Sequence, residues 1–410
     1  MNNNQRVLFM DYNLIEMIRQ KAKQYEAETA QFLRELIAIP SMSSDEAQVI
    51  QRIKQEMDKI GFDTVTIDPL GNILGRIGNG PRIIALDAHV DTVDVGNPDL
   101  WDFDPFRGKV ENGIIYGRGA SDMKGGMAAI TYAAKIIKEI GVPDDLSIYF
   151  VGSVMEEDCD GLCWQYIVNE DRIRPELVII TEPTNLNIYR GQRGRMEMEV
   201  KTSGISCHGS APERGVNAIY KMADIIKEIE QLNHRLKTDP FLGKGTITIS
   251  HIRSTSPSLC AVADSATIHL DRRLTGGETI ETAVKEIEDL LAFKINQAEV
   301  TVIDYSTASY TGLIYPTRKY YPTWTLSEDH AALKQATAVY QLLFEKEPII
   351  DKWTFSTNGV ATAGMFGIPT IGFGPGNEIH AHSPYDQCPI DHLSKAMMFY
   401  SGFILSERQF

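Results

Sequence analysis

The stretch Ile83-Ile84-Ala85-Leu86, followed at once by Asp87-Ala88-His89-Val90-Asp91-Thr92, constrains the chain more than any other. A short apolar run of this kind reads as a strand buried on both faces, and such strands belong to parallel sheets covered by helices. Side chains alternate along a strand, so His89 and Asp91 point to the same side. A carboxylate that takes the second N–H of an imidazole fixes the tautomer that leaves the other nitrogen free for a metal. The stretch therefore offers a metal ligand and its orienting partner. On its own, a histidine near a strand end is more often simply hydrogen-bonded.

The same pattern recurs. Leu146 to Val154 is a second apolar run and ends in Met155-Glu156-Glu157; Leu177 to Thr181 is a third and ends in Glu182-Pro183. Between them, Asp122-Met123-Lys124-Gly125-Gly126 leads into a helix through Ile140. Upstream, residues 12 to 60 read as helices, stopped by Pro40 and by Gly61, and Thr64–Ile67 and Ile73–Ile77 read as strands turning at Gly71-Asn72. Phe106 to Tyr116 reads as a hairpin around Asn112-Gly113. Strands alternating with helices predict an α/β fold with a mixed, largely parallel sheet. The acidic and histidine residues fall at or just beyond C-terminal strand ends, where open α/β sheets bind ligands.

The pattern changes after residue 190. Met196 to Val200, Thr246 to Ile252, Ala266 to Leu270 and Glu299 to Asp304 read as strands; Asn217 to Leu232 and Glu278 to Leu291 read as helices. Strand, helix, two strands, helix, strand is the order of an α+β, ferredoxin-like unit. From residue 310 helices and buried strands return, with a helix from His330 to Phe344 and a strand from Ile368 to Phe373 feeding Gly374-Pro375-Gly376. The expected organisation is a first domain built from 1–190 and 310–410, with 191–309 inserted into it. A length of 410 residues favours two domains in any case.

Composition excludes more than it selects. An apolar fraction of 43% supports globular cores, and a net charge of −15 argues against a nucleic-acid partner, which needs a basic face. Five cysteines do not make a disulfide framework, and Cys159 and Cys163 lack the second pair of a zinc knuckle. Asp11 and Glu16 interrupt the N-terminal apolar residues, and no apolar run reaches the roughly 20 residues of a membrane span. A cytoplasmic protein is expected, with no membrane partner.

A two-metal hydrolytic centre needs a bridging carboxylate, terminal ligands on each metal and a base beside the attacking water. The chain offers His89 with Asp91, Asp122, Glu156-Glu157, Glu182, and His382 with His380 close by. Acidic residues are common here, but two glutamates closing a buried strand are poorly placed without a cation. Being adjacent, they point different ways, so one can bind a metal while the other stays free as a base.

These residues carry a resemblance. Ala88-His89-Val90-Asp91, then Gly117-Arg118-Gly119-Ala120-Ser121-Asp122-Met123-Lys124-Gly125-Gly126, then Glu156-Glu157, Thr181-Glu182-Pro183 and Ala381-His382-Ser383 are similar in order and type to the M20 metallopeptidase family. That family includes acetylornithine deacetylase, succinyl-diaminopimelate desuccinylase, carboxypeptidase G and aminoacylases. Within it the chain most resembles the YgeY-type, selenium-metabolism-linked branch. The resemblance implies two divalent metals, zinc first, with cobalt or manganese as alternatives. His89 and Glu182 would complete one, Glu157 and His382 the other, and Asp122 would bridge them. Asp91 would stand behind His89, and Glu156 would be the general base. The family pattern favours His382 over His380. A cis peptide is implied at Asp122-Met123.

In the inserted unit, Ser206-Cys207-His208-Gly209-Ser210 matches the family's lid histidine, which reaches across a dimer interface to the oxyanion. Asp271-Arg272-Arg273 resembles the segment whose arginine grips the substrate carboxylate, with Arg273 the better match. The inserted unit is thereby expected to be a lid and dimerisation domain of a homodimer. One departure stands out: Cys260-Ala261-Val262-Ala263 has Cys where family members often carry Asn. Ser356-Thr357-Asn358-Gly359 reads as a turn that could face substrate. The expected function is hydrolysis of an amide-type C–N bond, in an N-acyl or N-carbamoyl amino acid or a dipeptide, within a small carboxylate-bearing substrate. The rival is a non-catalytic metal-dependent binding protein on the same fold.

Overall fold

The computed structural model describes residues 11–406. Nine strands form the main sheet among the described residues. In order they are Thr64–Ile67, Ile73–Ile77, Leu146–Ser153, Arg82–His89, Leu177–Ile180, Thr370–Gly372, Ile188–Gln192 and Trp324–Thr325; Ile350–Trp353 pairs with Ile188–Gln192 off this path. The four neighbours from Leu146–Ser153 to Thr370–Gly372 are mutually parallel. Their flanks are antiparallel.

Parallel neighbours need crossovers, and the helices supply them. Lys124–Ile140 carries the chain from Arg82–His89 to Leu146–Ser153, and Leu162–Asn169 carries it on to Leu177–Ile180. Because the strands share a direction, their C-terminal ends share one edge of the sheet. Register aligns these ends: His89 lies opposite Ser153, and Asp87 opposite Val151 and Ile180. Tyr12–Ile37, Lys124–Ile140 and Ile390–Leu405 pack on one another over the sheet, burying Ile18, Leu33, Ile136 and Phe403 completely.

The second sheet has the order Thr246–Thr255, Ser265–Leu274, Gly194–Ser203, Glu299–Val302, all antiparallel. This is the topology of a βαββαβ unit. Along Gly194–Ser203 the residues Met196, Met198 and Val200 point inward, against Met222, Ile225 and Ile229 of the helix Ala218–Arg235. Tyr320–Tyr321 adds a short fifth strand beside its start. The helix expected over Glu278 to Leu291 is broken in two, Ile280–Glu288 and Leu291–Ile295. Leu290 leaves helical geometry (φ −62°, ψ 136°) and puts its side chain into the second core.

Candidate metal centre

Three strand ends deliver four of the acidic and imidazole groups at the sheet edge, and a helix start and a loop deliver Asp122 and His382. His89 is the last residue of its strand; Glu156 and Glu157 follow Leu146–Ser153, and Glu182 follows Leu177–Ile180. Asp122 precedes the helix Lys124–Ile140, and its bond to Met123 is cis. Thr370–Gly372 leads through the 374–376 turn to His382. Gly374 is required there: a Cβ would meet the carbonyl oxygens of Thr181 and Glu182 at 2.2 Å.

Two groups result, and they share Asp122. His89 Nε2 lies 3.0 Å from Asp122 Oδ1 and 3.4 Å from Glu182 Oε1. His382 Nε2 lies 3.3 Å from Asp122 Oδ2 and 2.9 Å from Glu157 Oε2. The two oxygens of one carboxylate thus face different groups. Glu156 joins neither; its Oε2 stands 3.8 Å from His89 Nε2.

The donor set fits divalent cations. Glu156 Oε1 and Glu182 Oε2 are buried and have no hydrogen-bond partner among the described residues. Burial raises both carboxyls, Glu182 to about 8, and facing carboxylates push the same way. Hydrogen bonds to Asp122 and Glu157 raise the His382 imidazole to about 10. Cations among these groups would relieve both the desolvation and the mutual repulsion of the carboxylates. Imidazole nitrogen with carboxylate oxygen suits zinc and its neighbours.

The surrounding groups hold this arrangement. His89 Nδ1 lies 2.9 Å from the Asp91 carbonyl oxygen and 3.5 Å from Asp91 Oδ1. A carbonyl only accepts, so Nδ1 donates and Nε2 is left open toward Asp122 and Glu182. Strand alternation predicts the Asp91 carboxylate for that task, and the structure gives it to the Asp91 backbone. The carboxylate instead accepts the backbone N–H of Glu156 and of Glu157, and the Ser43 hydroxyl. Glu46 accepts from the Met155 N–H, and burial raises its carboxyl to about 8. Asp386 accepts from the N–H of Gly119 and Ser121 and faces Arg118, fixing the loop before Asp122. Buried Lys124 donates to the carbonyls of Leu36 and Ile39.

His380 and His382 do not sit in an extended segment. Glu378–His380 is a 3₁₀ turn, and His382 has φ 56°. His380 Nε2 meets the Gln387 side-chain amide instead of the acidic groups. Arg273 lines the same cavity as the metal groups, a space of about 320 Å³, with its guanidinium bonded to Asp271 at 2.8 and 3.1 Å. Arg272 is buried against Glu278 and Glu286 and plays no part in that cavity. His208 lies outside it, on a loop where Nδ1 accepts from the Ser210 N–H. Cys260 is exposed on the facing segment, its carbonyl bonded to the Gly209 N–H. Ser356 faces the cavity, while Asn358 is buried and bonds Asp87 and Gly161. Sequence reasoning missed Asp160 and Arg195, which also line the cavity. Their only signal was proximity: one follows Glu156 in the same loop, the other opens the strand Gly194–Ser203. A larger cavity of about 560 Å³, lined by Arg190, Phe241 and Leu333 among others, holds none of these groups.

A parallel-stranded sheet presenting imidazoles and carboxylates at one edge is the framework of a metal-dependent hydrolase. Comparison with known proteins agrees. The profile of Peptidase family M20/M25/M40 matches residues 85–406. The Escherichia coli (strain K12) protein YgeY is 54% identical over 391 residues, covering 95% of this chain and 97% of that protein. Acetylornithine deacetylase of Proteus mirabilis is 29% identical over 371 residues, covering 86% and 89%. Among solved structures, the Bacillus subtilis YXEP protein, a dinuclear metal binding peptidase, superposes with a TM-score of 0.68 at 13% identity, covering 93% and 98%. The chain belongs to the M20 peptidase family, whose members are metallohydrolases of amide and peptide bonds. Among the described residues no helix is long and apolar enough to cross a membrane.

Proposed function

We propose that the chain is a dinuclear amidohydrolase acting on a small carboxylate-bearing substrate: an N-acyl or N-carbamoyl amino acid, or a dipeptide. The observation that carries this is the division of Asp122 between two ligand groups, with Glu156 buried and unbonded beside them. His89 and Glu182 would hold one cation, Glu157 and His382 the other, and Asp122 both. Zinc suits the donors best, with cobalt or manganese as alternatives. The cations would supply Lewis acidity to the substrate carbonyl and lower the pKa of the attacking water.

The chain's own groups do the rest. Glu156 takes a proton from the water as its oxygen bonds the carbonyl carbon, then gives that proton to the nitrogen as the C–N bond breaks. Burial raises this carboxyl, which suits a group that must both accept and release a proton. Asp91 aims Glu156 and Glu157 through their backbone N–H groups. Arg273 reads the substrate carboxylate, and His208 donates to the carbonyl oxygen as charge builds there. A cavity of about 320 Å³ lies at the small end of ligand sites, which favours a small substrate.

Residues 191–309 act as a lid and dimerisation domain in this reading, and the chain works as a cytoplasmic homodimer. The edge strand Thr246–Thr255 supports this, with Ile252 exposed on it and Tyr220 72% exposed on the helix packed against it. A deacetylase and a dinuclear metal binding peptidase among the relatives support C–N hydrolysis over other chemistry. A purely metal-binding protein would have no use for an uncoordinated carboxylate at Glu156. The test is a panel of N-acetyl, N-succinyl and N-carbamoyl amino acids and dipeptides, assayed with added zinc, cobalt or manganese. Hydrolysis that a chelator abolishes and metal restores, with two ions per chain, is expected; no turnover across the panel would sink the reading.

A further inference from the structure

Asp160 lies four residues beyond Glu156 and lines the same cavity, yet it belongs to neither ligand group. Its side chain is buried, with 4% of the residue exposed. Ser356 lines the cavity with it. Oδ2 has no hydrogen-bond partner among the described residues. The nearest cation, Arg195 Nη1, stands 3.7 Å away, too far for a hydrogen bond. Arg195 cannot easily close that gap, because its Nη2 is held at 2.6 Å by Glu197. Buried acceptors are seldom left without a donor, and one that faces a ligand cavity is an open position for a ligand's donor. The open oxygens of Glu156 and Glu182 are accounted for by the base and by a cation; that of Asp160 is not. Glu378 also lines the cavity and its Oε2 likewise lacks a partner among the described residues, but the residue is only partly buried, whereas Asp160 is buried beside Glu156.

We propose that Asp160 determines specificity by accepting a hydrogen bond, through Oδ2, from a substrate N–H other than the scissile one. This rests on the hydrolase reading above. The preferred substrate is then a small amino-acid derivative with a carboxylate, a scissile amide and a second nitrogen, as amine or amide. A charged or strongly polarised donor suits a buried carboxylate better than a hydroxyl does. Burial raises the Asp160 carboxyl; Arg195 beside it opposes that shift and presents a donor next to the acceptor.

The experiment compares substrates that differ in one nitrogen. Alanylglycine is set against lactylglycine and propionylglycine, and Nα-acetylornithine against N-acetylnorvaline, so both sides of the scissile bond are probed. The metal-loaded wild-type enzyme should favour the N–H-bearing member in kcat/KM by about 100-fold or more in a pair it hydrolyses, because a site built around a hydrogen bond rejects the analogue lacking it. In Asp160→Ala that ratio should fall to about threefold or less, through loss on the N–H-bearing member alone, with metal content unchanged. Asp160→Asn keeps the shape of the side chain and guards against misfolding; it should also lower the preference for an ammonium group. A merely structural role would lower both members of a pair together, and that result overturns the proposal. So does equal wild-type activity on both members of every pair turned over, which leaves the hydrolase reading standing. If no pair is hydrolysed while other members of the wider panel are, this proposal falls alone; no turnover across the whole panel removes both readings.

Discussion

The parallel strands of the main sheet hold their functional groups on buried, hydrogen-bonded ends, whereas the second sheet holds His208 on an exposed loop and Arg273 on a strand where Asp271 already engages it. His89, Asp122, Glu156 and Glu182 are each exposed by 5% or less. Their positions are set by register and by backbone N–H donors, and nothing has to move to bring them together. His208 contributes only if the second unit or a partner copy brings it over the cavity. The groups on strand ends are preorganised and His382 meets them from the loop after Glu378–His380, whereas His208 must be recruited.

Three substitutions probe that contrast. The largest effect is expected on the preorganised side. Glu156→Gln should lower kcat by about a thousandfold or more while leaving metal content and melting temperature as they are. Robust turnover in that variant would remove Glu156 as the base. On the recruited side, His208→Ala should lower kcat by about 10- to 100-fold, as loss of one donor to a developing oxyanion does. Its metal content should stay at the wild-type level. If chains carrying His208→Ala are mixed with chains carrying Glu156→Gln, activity should return when the histidine acts across a dimer. Failure to return would place its action within one chain.

The smallest effect concerns the support beneath the metal centre. Glu46 is buried and holds the Met155 N–H, with its carboxyl raised from about 4.5 to about 8. Below pH 4.5 it is neutral in folded and unfolded chains alike and costs nothing. As the pH rises toward 8 the unfolded chain ionises while the folded one keeps its proton, so stability falls; above 8 the loss is complete. The metal-free protein should therefore melt lower at pH 8 than at pH 5. Glu46→Gln should flatten that decline by roughly 2 °C or more in a thermal scan. A slope identical to wild type would show that Glu46 does not contribute to it.

Much of the centre is legible in the sequence because of where its residues lie along the chain. A buried apolar run that ends in Glu156-Glu157 or His89 is conspicuous, since charge at such a place needs a partner. Helices and strands of the main sheet follow from apolar periodicity and from Gly61, Pro40 and Asn112-Gly113. The break at Leu290 in the helix expected from Glu278 to Leu291 is invisible to periodicity, because Ile287, Leu290 and Phe293 all face the same core. His380 and His382 are inseparable by spacing. The 3₁₀ turn at Glu378–His380 and the left-handed backbone of His382 separate them.

By itself, the sequence determined the α/β order, the strand ends and the kinds of side chain placed there, because these depend on local periodicity and on the chemistry of single residues. Only the tertiary structure decided which atoms meet. It divided Asp122 between His89 and His382, gave His89 Nδ1 to a carbonyl, set Asp386 behind Gly119 and Ser121, and left Asp160 open beside Arg195. Such contacts join residues as far as 267 positions apart. The parallel register and the packing of separate strand ends create them, and no local pattern along the chain encodes that.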